Sequence, residues 1–456
     1  MKATDPTVRK RVGYLTVTSS SCNLVCTDSA GEPVCDSLLV SDKRSKRQAD
    51  RLAQDDSLAE LFTNSNFSAS ASYMFPKICW LSEHEPTVFA ETETFGSSNS
   101  FLTRRFTGRS VTDYLDAEKF YYDRDAGYPD ELLDRLGLDS EQLPDVVQVG
   151  TDIGPIDDSV ADELGLPSDI RFVVTTYDAL AAFWGSGPTE EGDGTNVCGT
   201  CSSLRTAMPG TASLDLSGST IKAQRFARPD ILAVGGSNSI EGGLLEWVKS
   251  TLYPDEKQGE ELFDTMEAEA RESSLGAGGV VFLPYLLGER APFDDPDARG
   301  MFFGLERKHG REDLVRAVFE SIGFLTRHMV SEIERSNATV ETLEAAGGLT
   351  RRNFACQIKA DVTGKPVLLV EELENTALGC MIITASQARE EDMQSIANEV
   401  VDYSRRFEPD PDRHEKYSEL YDLFRELYES NKENFKRRAD LIERLDEDET
   451  GSDRQL

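Results

Sequence analysis

Phe282 to Glu320 reads FLPYLLGERAPFDDPDARGMFFGLERKHGREDLVRAVFE. An apolar, strand-like run ends in Gly288-Glu289-Arg290 and passes through Pro292, Asp294, Asp295, Pro296 and Gly300, which break regular structure. The chain resumes as Met301-Phe302-Phe303-Gly304-Leu305 and enters an amphipathic helix at Asp313. From Leu314 to Ile333 the apolar positions 314, 318, 322, 325, 329 and 333 keep to one helical face. Turn residues, a charged loop and a helix in that order predict a site-bearing edge rather than a plain core segment.

Working outward, Val280 to Leu283 reads as a strand, and Thr342 to Ala346 as a strand that runs into Gly347-Gly348. Asn353 to Val362 is a helix, Pro366 to Val370 a strand, and Ala377 to Ala388 a helix of small residues. Strand and helix alternate through this half, the pattern of α/β layers. Upstream, Val12 to Val40 carries short apolar runs broken by turns, and Ser45 to Phe62 has helical spacing. Lys77 to Phe89 reads as a short helix stopped at Pro86; Asp130 to Leu138 and Val160 to Leu164 are further helices, the second ended by Gly165. Ile170 to Thr175 is a strand that delivers Asp178 at its end, and the glycine- and glutamate-rich turn from Gly185 to Gly194 marks a domain boundary. The end of the chain, from Asp410, is helical at first and then passes into the acidic tail LDEDETGSDRQL, expected to be disordered.

The 456 residues exceed one ordinary core, so two domains are expected, and 39% hydrophobic with 8% aromatic residues suffice to bury them. There are 83 acidic against 48 basic residues, a formal charge of −35. That excess repels nucleic acid and anionic membrane, which argues against both as partners. The acids are spread along the chain, which points to a carboxylate-rich globular surface and a salt-adapted host. The start, MKATDPTVRKRVGY, has no apolar signal region, and no apolar run is long enough to span a bilayer. Eight scattered cysteines suggest free thiols in a reducing compartment, the cytoplasm. Cys198-Gly199-Thr200-Cys201 is a lone C-x-x-C without a second pair, a weak signal for zinc or redox work.

Three constellations suit chemistry. Gly347-Gly348, between a strand and a helix, lets the main chain approach a phosphorylated or planar ligand beside helix-start amides. Gly199-Thr200 offers amide and hydroxyl donors to a phosphate, or is simply a hairpin turn. Asp178, at a strand end before the helix ALAAFWGSG, is a candidate general base, with a helix-capping role as the alternative.

Together these features resemble the FGGY carbohydrate kinases, the sugar-kinase branch of the actin-like ATPase superfamily. The second FGGY signature is matched by Gly300 to Leu305, seven residues, Asp313-Leu314, two residues, then Ala317-Val318-Phe319-Glu320. Val173 to Gly187 resembles the segment that carries the family's catalytic base, which places that role on Asp178. Gly199-Thr200 resembles the second phosphate loop, and Gly242 to Trp247 the helix start that lines the nucleotide cleft. Gly347-Gly348 through Asn353, Gln357 and Asp361 resembles the adenosine motif, followed by Ala377-Leu378-Gly379. The resemblance runs from about Val12 to the helix of Tyr417 and Tyr421, closest to xylulokinases and gluconokinases.

The resemblance implies two actin-like (ribonuclease H-like) α/β domains flanking a nucleotide and sugar cleft. The expected division is a sugar-binding domain over 12–187, a nucleotide-binding domain over 188–432, and the acidic tail over 433–456. It implies ATP as phosphate donor with Mg²⁺, contacts to ATP from Gly199, Thr200, Gly242, Gly347, Gly348, Arg352 and Asn353, and a small-molecule sugar as partner. A homodimer is a further expectation, and no side chain is assigned as a metal ligand. The front departs from the family pattern: the opening Asp-x-Gly-Thr phosphate loop has no counterpart, and the first domain reads as truncated at its N-terminus. Ser20-Ser21-Cys22 stands where xylulose and glycerol kinases carry Gln-Met-His or Gln-Arg-Glu, so Ser21 and Cys22 are the substrate-binding candidates. Ser100 sits where an acidic sugar ligand is common. The function expected is phosphorylation of a sugar hydroxyl, with D-xylulose or a related pentulose first. The alternatives are a catalytically impaired homologue that binds nucleotide and regulates a partner, and a start codon lying upstream.

Overall fold

The computed structural model describes residues 5–64, 69–187, 190–225, 231–371 and 374–452. They form two compact units, Met1–Gly185 with Asn375–Val400, and Ser186–Glu374 with Val401–Leu456. The helix expected over Ala377 to Ala388 therefore belongs with the first unit, after the chain has built most of the second.

In the first unit the strands are β1 (Tyr14–Leu15), β2 (Leu24–Thr27), β3 (Thr94–Ser97), β4 (Val111–Asp113), β5 (Asp145–Val147), β6 (Thr151–Pro155) and β7 (Arg171–Val174). The sheet β1-β7-β6 pairs β1 parallel to β7 in the register Leu15↔Phe172, and β6 antiparallel to β7. Phe172, Val173 and Val174 are all buried, so β7 is a central strand made of residues that suit a packed sheet. It leads into the Asp178–Gly185 helix, which buries every residue from Leu180 onward. That helix packs on the Asn375–Arg389 helix at backbone distance. A Cβ on Gly379 would lie 1.8 Å from the Ala181 carbonyl, and one on Gly185 1.7 Å from the Asn375 carbonyl. The small residues of the later helix are there to let the two backbones touch.

The second unit holds β8 (Asp193–Cys198), β9 (Ser202–Pro209), β10 (Lys222–Arg225), β11 (Ile231–Ser237), β12 (Val281–Leu283), β13 (Met301–Phe303), β14 (Thr342–Ala346), β15 (Val367–Val370) and β16 (Tyr403–Phe407). Its main sheet runs β10-β11-β9-β8-β14-β15-β16, with β14 parallel to both β8 and β15. The parallel pairing brings the C-terminal ends of β8 and β14 side by side, with Val197 opposite Ala346. Ligands of α/β sheets gather at such ends.

The opening stretch, expected to be a site-bearing edge, packs the core of this unit. β12 and β13 form a hairpin, and Phe282 stacks on Phe302 at 4.3 Å and on Trp247 at 5.7 Å. The Arg311–Arg335 helix runs through the core with Val315, Val318, Phe319 and Ile322 fully buried. Glu320, the last signature residue, is buried and receives Arg316 at 2.6 Å, the Tyr417 hydroxyl at 3.0 Å and the Gly276 amide at 3.0 Å. Its role is structural, since removing one partner would leave a buried charge unpaired.

Two expectations on local structure are corrected. Pro86 does not simply stop a helix: Met74–His84 ends before it, and Pro86 opens a second helix, Pro86–Glu91, from a position where its missing amide costs nothing. The acidic tail, expected to be disordered, is helical as far as Ser452. The Pro411–Ser452 helix continues through it, and only 453–456 lie outside the described residues. Tyr417, Tyr421, Phe424 and Tyr428 anchor this helix, and a helix once nucleated extends at low cost.

Candidate active site

In the first unit Asp178 opens its helix immediately after β7 and is half-buried. Its amide bonds the Ser19 carbonyl at 3.0 Å, and one carboxylate oxygen accepts the Ala179 amide at 2.7 Å. The segment after β1 is stitched to this turn: Thr16 to Thr175 at 2.9 Å, Thr18 to the Thr176 carbonyl at 2.8 Å, and Ser19 to Asn99 at 2.7 Å. The structure thus brings the Ser20-Ser21-Cys22 turn beside the candidate base. Ser21 is half-buried, whereas Cys22 is buried with φ 62° and its carbonyl accepts the Lys77 ammonium. Burial pushes the Cys22 thiol up and the Lys77 ammonium down to about 8. Ser100, in the Ser98–Thr107 helix, is fully buried and turns its hydroxyl back to the Ser97 carbonyl at 3.0 Å.

Sequence reasoning missed the buried charges around this turn. Lys119 lies 5.1 Å from the Tyr177 ring centroid and is 6% exposed. Asp113 and Asp116 are both buried, and burial pushes both carboxyls up. Charged residues read from sequence default to the surface, and no spacing rule marks these three as interior.

In the second unit β8 ends at Cys198, and Gly199-Thr200 makes the hairpin turn into β9, with the Gly199 amide on the Cys201 carbonyl at 2.9 Å. The hairpin-turn reading of this dipeptide is what the structure shows, and the turn also docks on a helix start. Glu241 and Gly243 donate to the Thr200 carbonyl at 2.8 and 3.1 Å, and Gly242 to the Gly199 carbonyl at 3.0 Å, as the Gly242–Leu252 helix begins. Gly347 follows β14 with φ 91°, and a Cβ there would meet the Cys198 carbonyl at 2.6 Å, so only glycine fits. Arg352 reaches Asp264 at 2.6 Å and Glu260 at 2.9 Å and lies over the Phe263 ring.

These pieces enclose a cavity of about 250 Å³ whose lining includes Gly199, Thr200, Gly242, Gly348, Leu349 and Arg352. Gly347 is the bend beneath it, and Asn353 is exposed at the start of the Asn353–Thr363 helix. The amides of Gly199, Glu241, Gly242 and Gly243 are taken up by backbone carbonyls, so the opening offers a phosphate chain the Thr200 side chain and close main-chain approach at Gly199, Gly242 and Gly348. All eight cysteines are free, with burial pushing the Cys198 thiol up to about 12. Among the described residues no helix is long and apolar enough to cross a membrane.

Two family models match the chain, one for the N-terminal domain of the FGGY family of carbohydrate kinases over residues 6–185 and one for its C-terminal domain over residues 195–388. The chain belongs to the FGGY family of carbohydrate kinases. A xylulose kinase of Staphylococcus xylosus is 24% identical over 412 residues, 89% of this chain and 83% of its own length. A gluconokinase of Bacillus subtilis is 21% identical over 426 residues, 91% of this chain and 82% of that protein. The crystal structure of a xylulose kinase from Rhodospirillum rubrum superposes with a TM-score of 0.82 at 27% identity, covering 93% of this chain and 85% of that one. This FGGY kinase therefore has the two-domain α/β, actin-like fold of its relatives.

Proposed function

We propose that the chain transfers the γ-phosphoryl group of ATP to a hydroxyl of a sugar, with a pentulose such as D-xylulose as the first substrate. The observation that carries the proposal is the glycine-lined cavity where the Gly199-Thr200 turn meets the start of the Gly242–Leu252 helix. There Gly199 and Thr200 hold the phosphate tail, and Gly242, Gly347 and Gly348 let the main chain close on the nucleotide. Arg352, fixed by Asp264 and Glu260, and Asn353 border the adenosine end. Asp178 takes the proton of the attacking hydroxyl. Ser21 and Cys22, on the turn next to it, contact the sugar. Among the described residues no group of three or more His, Cys, Asp or Glu side chains is placed to hold a metal ion, and Glu246 and Glu260 at the cavity are paired with Lys249 and Arg352, so magnesium would be carried by the nucleotide's own phosphates, where it would neutralise charge on the β,γ-oxygens.

Xylulose kinases and gluconokinases are both among the relatives, so the sugar is decided by assay. The carboxylate-rich surface suits a salt-rich cytoplasm, and the coupled ADP-release assay is accordingly run in high KCl with D-xylulose, gluconate and glycerol. Sugar-dependent ADP with D-xylulose is the expected result. Nucleotide binding without sugar-dependent ADP from any of the three would overturn the proposed activity.

A further inference from the structure

Behind the Gly199-Thr200 turn lies an ion pair that the proposed chemistry does not use. Glu241 is the residue that precedes the Gly242–Leu252 helix and is 1% exposed. Its carboxylate makes no capping bond to the helix start, yet it stands directly behind the turn that borders the cavity, where an unpaired negative charge would repel phosphates. Lys359, from the Asn353–Thr363 helix and also 1% exposed, reaches the Glu241 carboxylate directly, the Asn196 side-chain oxygen at 2.5 Å and the Cys198 sulfur at 3.0 Å. Asn238 donates to the other Glu241 oxygen at 3.0 Å and accepts the Ser202 amide at 2.7 Å. The cluster therefore ties together the end of β8, the start of β9 and the start of the helix, the three elements that shape the turn. Burial opposes the Lys359 charge, but Cys198 and Glu241 outweigh it and hold the ammonium above its ordinary range.

We propose that Lys359 is a positioning residue of the nucleotide site: it cancels the Glu241 charge behind the phosphates and pins the Cys198–Thr200 turn against the helix start. The proposal rests on the nucleotide reading of this cavity. An isolated structural ion pair would affect folding alone; this one sets nucleotide affinity through the sign of the charge left behind when one partner is removed.

The test measures binding of magnesium ADP by titration calorimetry, and thermal unfolding, for the wild type, Lys359→Met, Glu241→Gln and the double variant. Lys359→Met leaves the carboxylate alone behind the phosphates, and its affinity falls by at least about tenfold, the scale for breaking a buried charge pair. The double variant regains most of the loss, and Glu241→Gln binds at least as tightly as the wild type. In turnover, Lys359→Met raises the KM for ATP more than it lowers kcat. Equal affinity across the variants, or a double variant as weak as Lys359→Met, would overturn the proposal. Should Lys359→Met fail to fold, the comparison of Glu241→Gln with the wild type decides, weaker binding by Glu241→Gln counting against it. A wild type that does not bind magnesium ADP would instead remove the nucleotide reading itself, a separate result.

Discussion

His328 sits in the core of the second unit, 6% exposed, with its ring 5.6 Å from Phe293 and 6.3 Å from Tyr421. Burial, then the nearby positive charges of Arg425 and Lys432, pushes its pKa down to about 3 from an ordinary 6.5. A histidine kept neutral in the fold contributes stability above its unfolded pKa, and that stability is lost as the pH falls toward the folded value. At pH 4.5 the unfolded chain gains from protonation across about two pKa units while the folded chain stays neutral, a cost of about 2–3 kcal/mol. The many carboxylates of this chain also titrate there, so the quantity to measure is a difference. Urea unfolding of the wild type and of His328→Gln at pH 7 and pH 4.5, in one high-salt buffer, cancels the shared carboxylate contribution. The wild type should lose about 2 to 3 kcal/mol more than the variant over that interval. Identical pH dependence in the two proteins would show that the folded imidazole accepts its proton freely, and the burial argument would fail.

Asp178→Asn keeps the amide bond to Ser19 but cannot take a proton. It should lower sugar-dependent kcat by about a hundredfold or more with little change in unfolding temperature; an unchanged kcat would remove Asp178 as the base. Gly379→Ala places a methyl 1.8 Å from the Ala181 carbonyl, and the two helices must part. Overpacking against backbone costs about 1–3 kcal/mol or more, read as a lower melting temperature with activity lost alongside it, and a variant as stable as the wild type would contradict the close approach.

The fold was legible because its elements are long and strongly patterned. The stripe from Leu314 to Ile333 belongs to the Arg311–Arg335 helix, and Thr342 to Ala346 is β14 residue for residue. What sequence could not show is what depends on partners distant in the chain. Nothing in Ala377-Leu378-Gly379 says that its helix crosses to the first unit, since the reason, contact with the Ala181 carbonyl, lies almost two hundred positions upstream. The tail was misread because acidic composition measures the absence of a core, whereas its helicity comes from Tyr417, Tyr421 and Phe424 anchoring the preceding turns.

The same reasoning explains why the stretch that reveals the family is not the stretch that lines the cavity. Phe282, Phe302 and Glu320 are recognisable because large side chains and a buried carboxylate must meet particular neighbours, so their order in the chain is distinctive. The turn side of the cavity is built on glycines, Gly199, Gly242, Gly243 and Gly348, and a glycine announces only that a side chain is missing. Its electrostatics are then set from behind by Glu241 and Lys359, two residues 118 positions apart whose pairing no local pattern announces. If the sign of that hidden pair governs nucleotide affinity, substitutions beneath the turn should alter binding more than substitutions on the visible signature, which should alter stability instead. Glu320→Gln is the matching control: it disturbs another buried ion pair in the same unit, and it should lower the melting temperature while leaving the affinity for magnesium ADP within about twofold of the wild type.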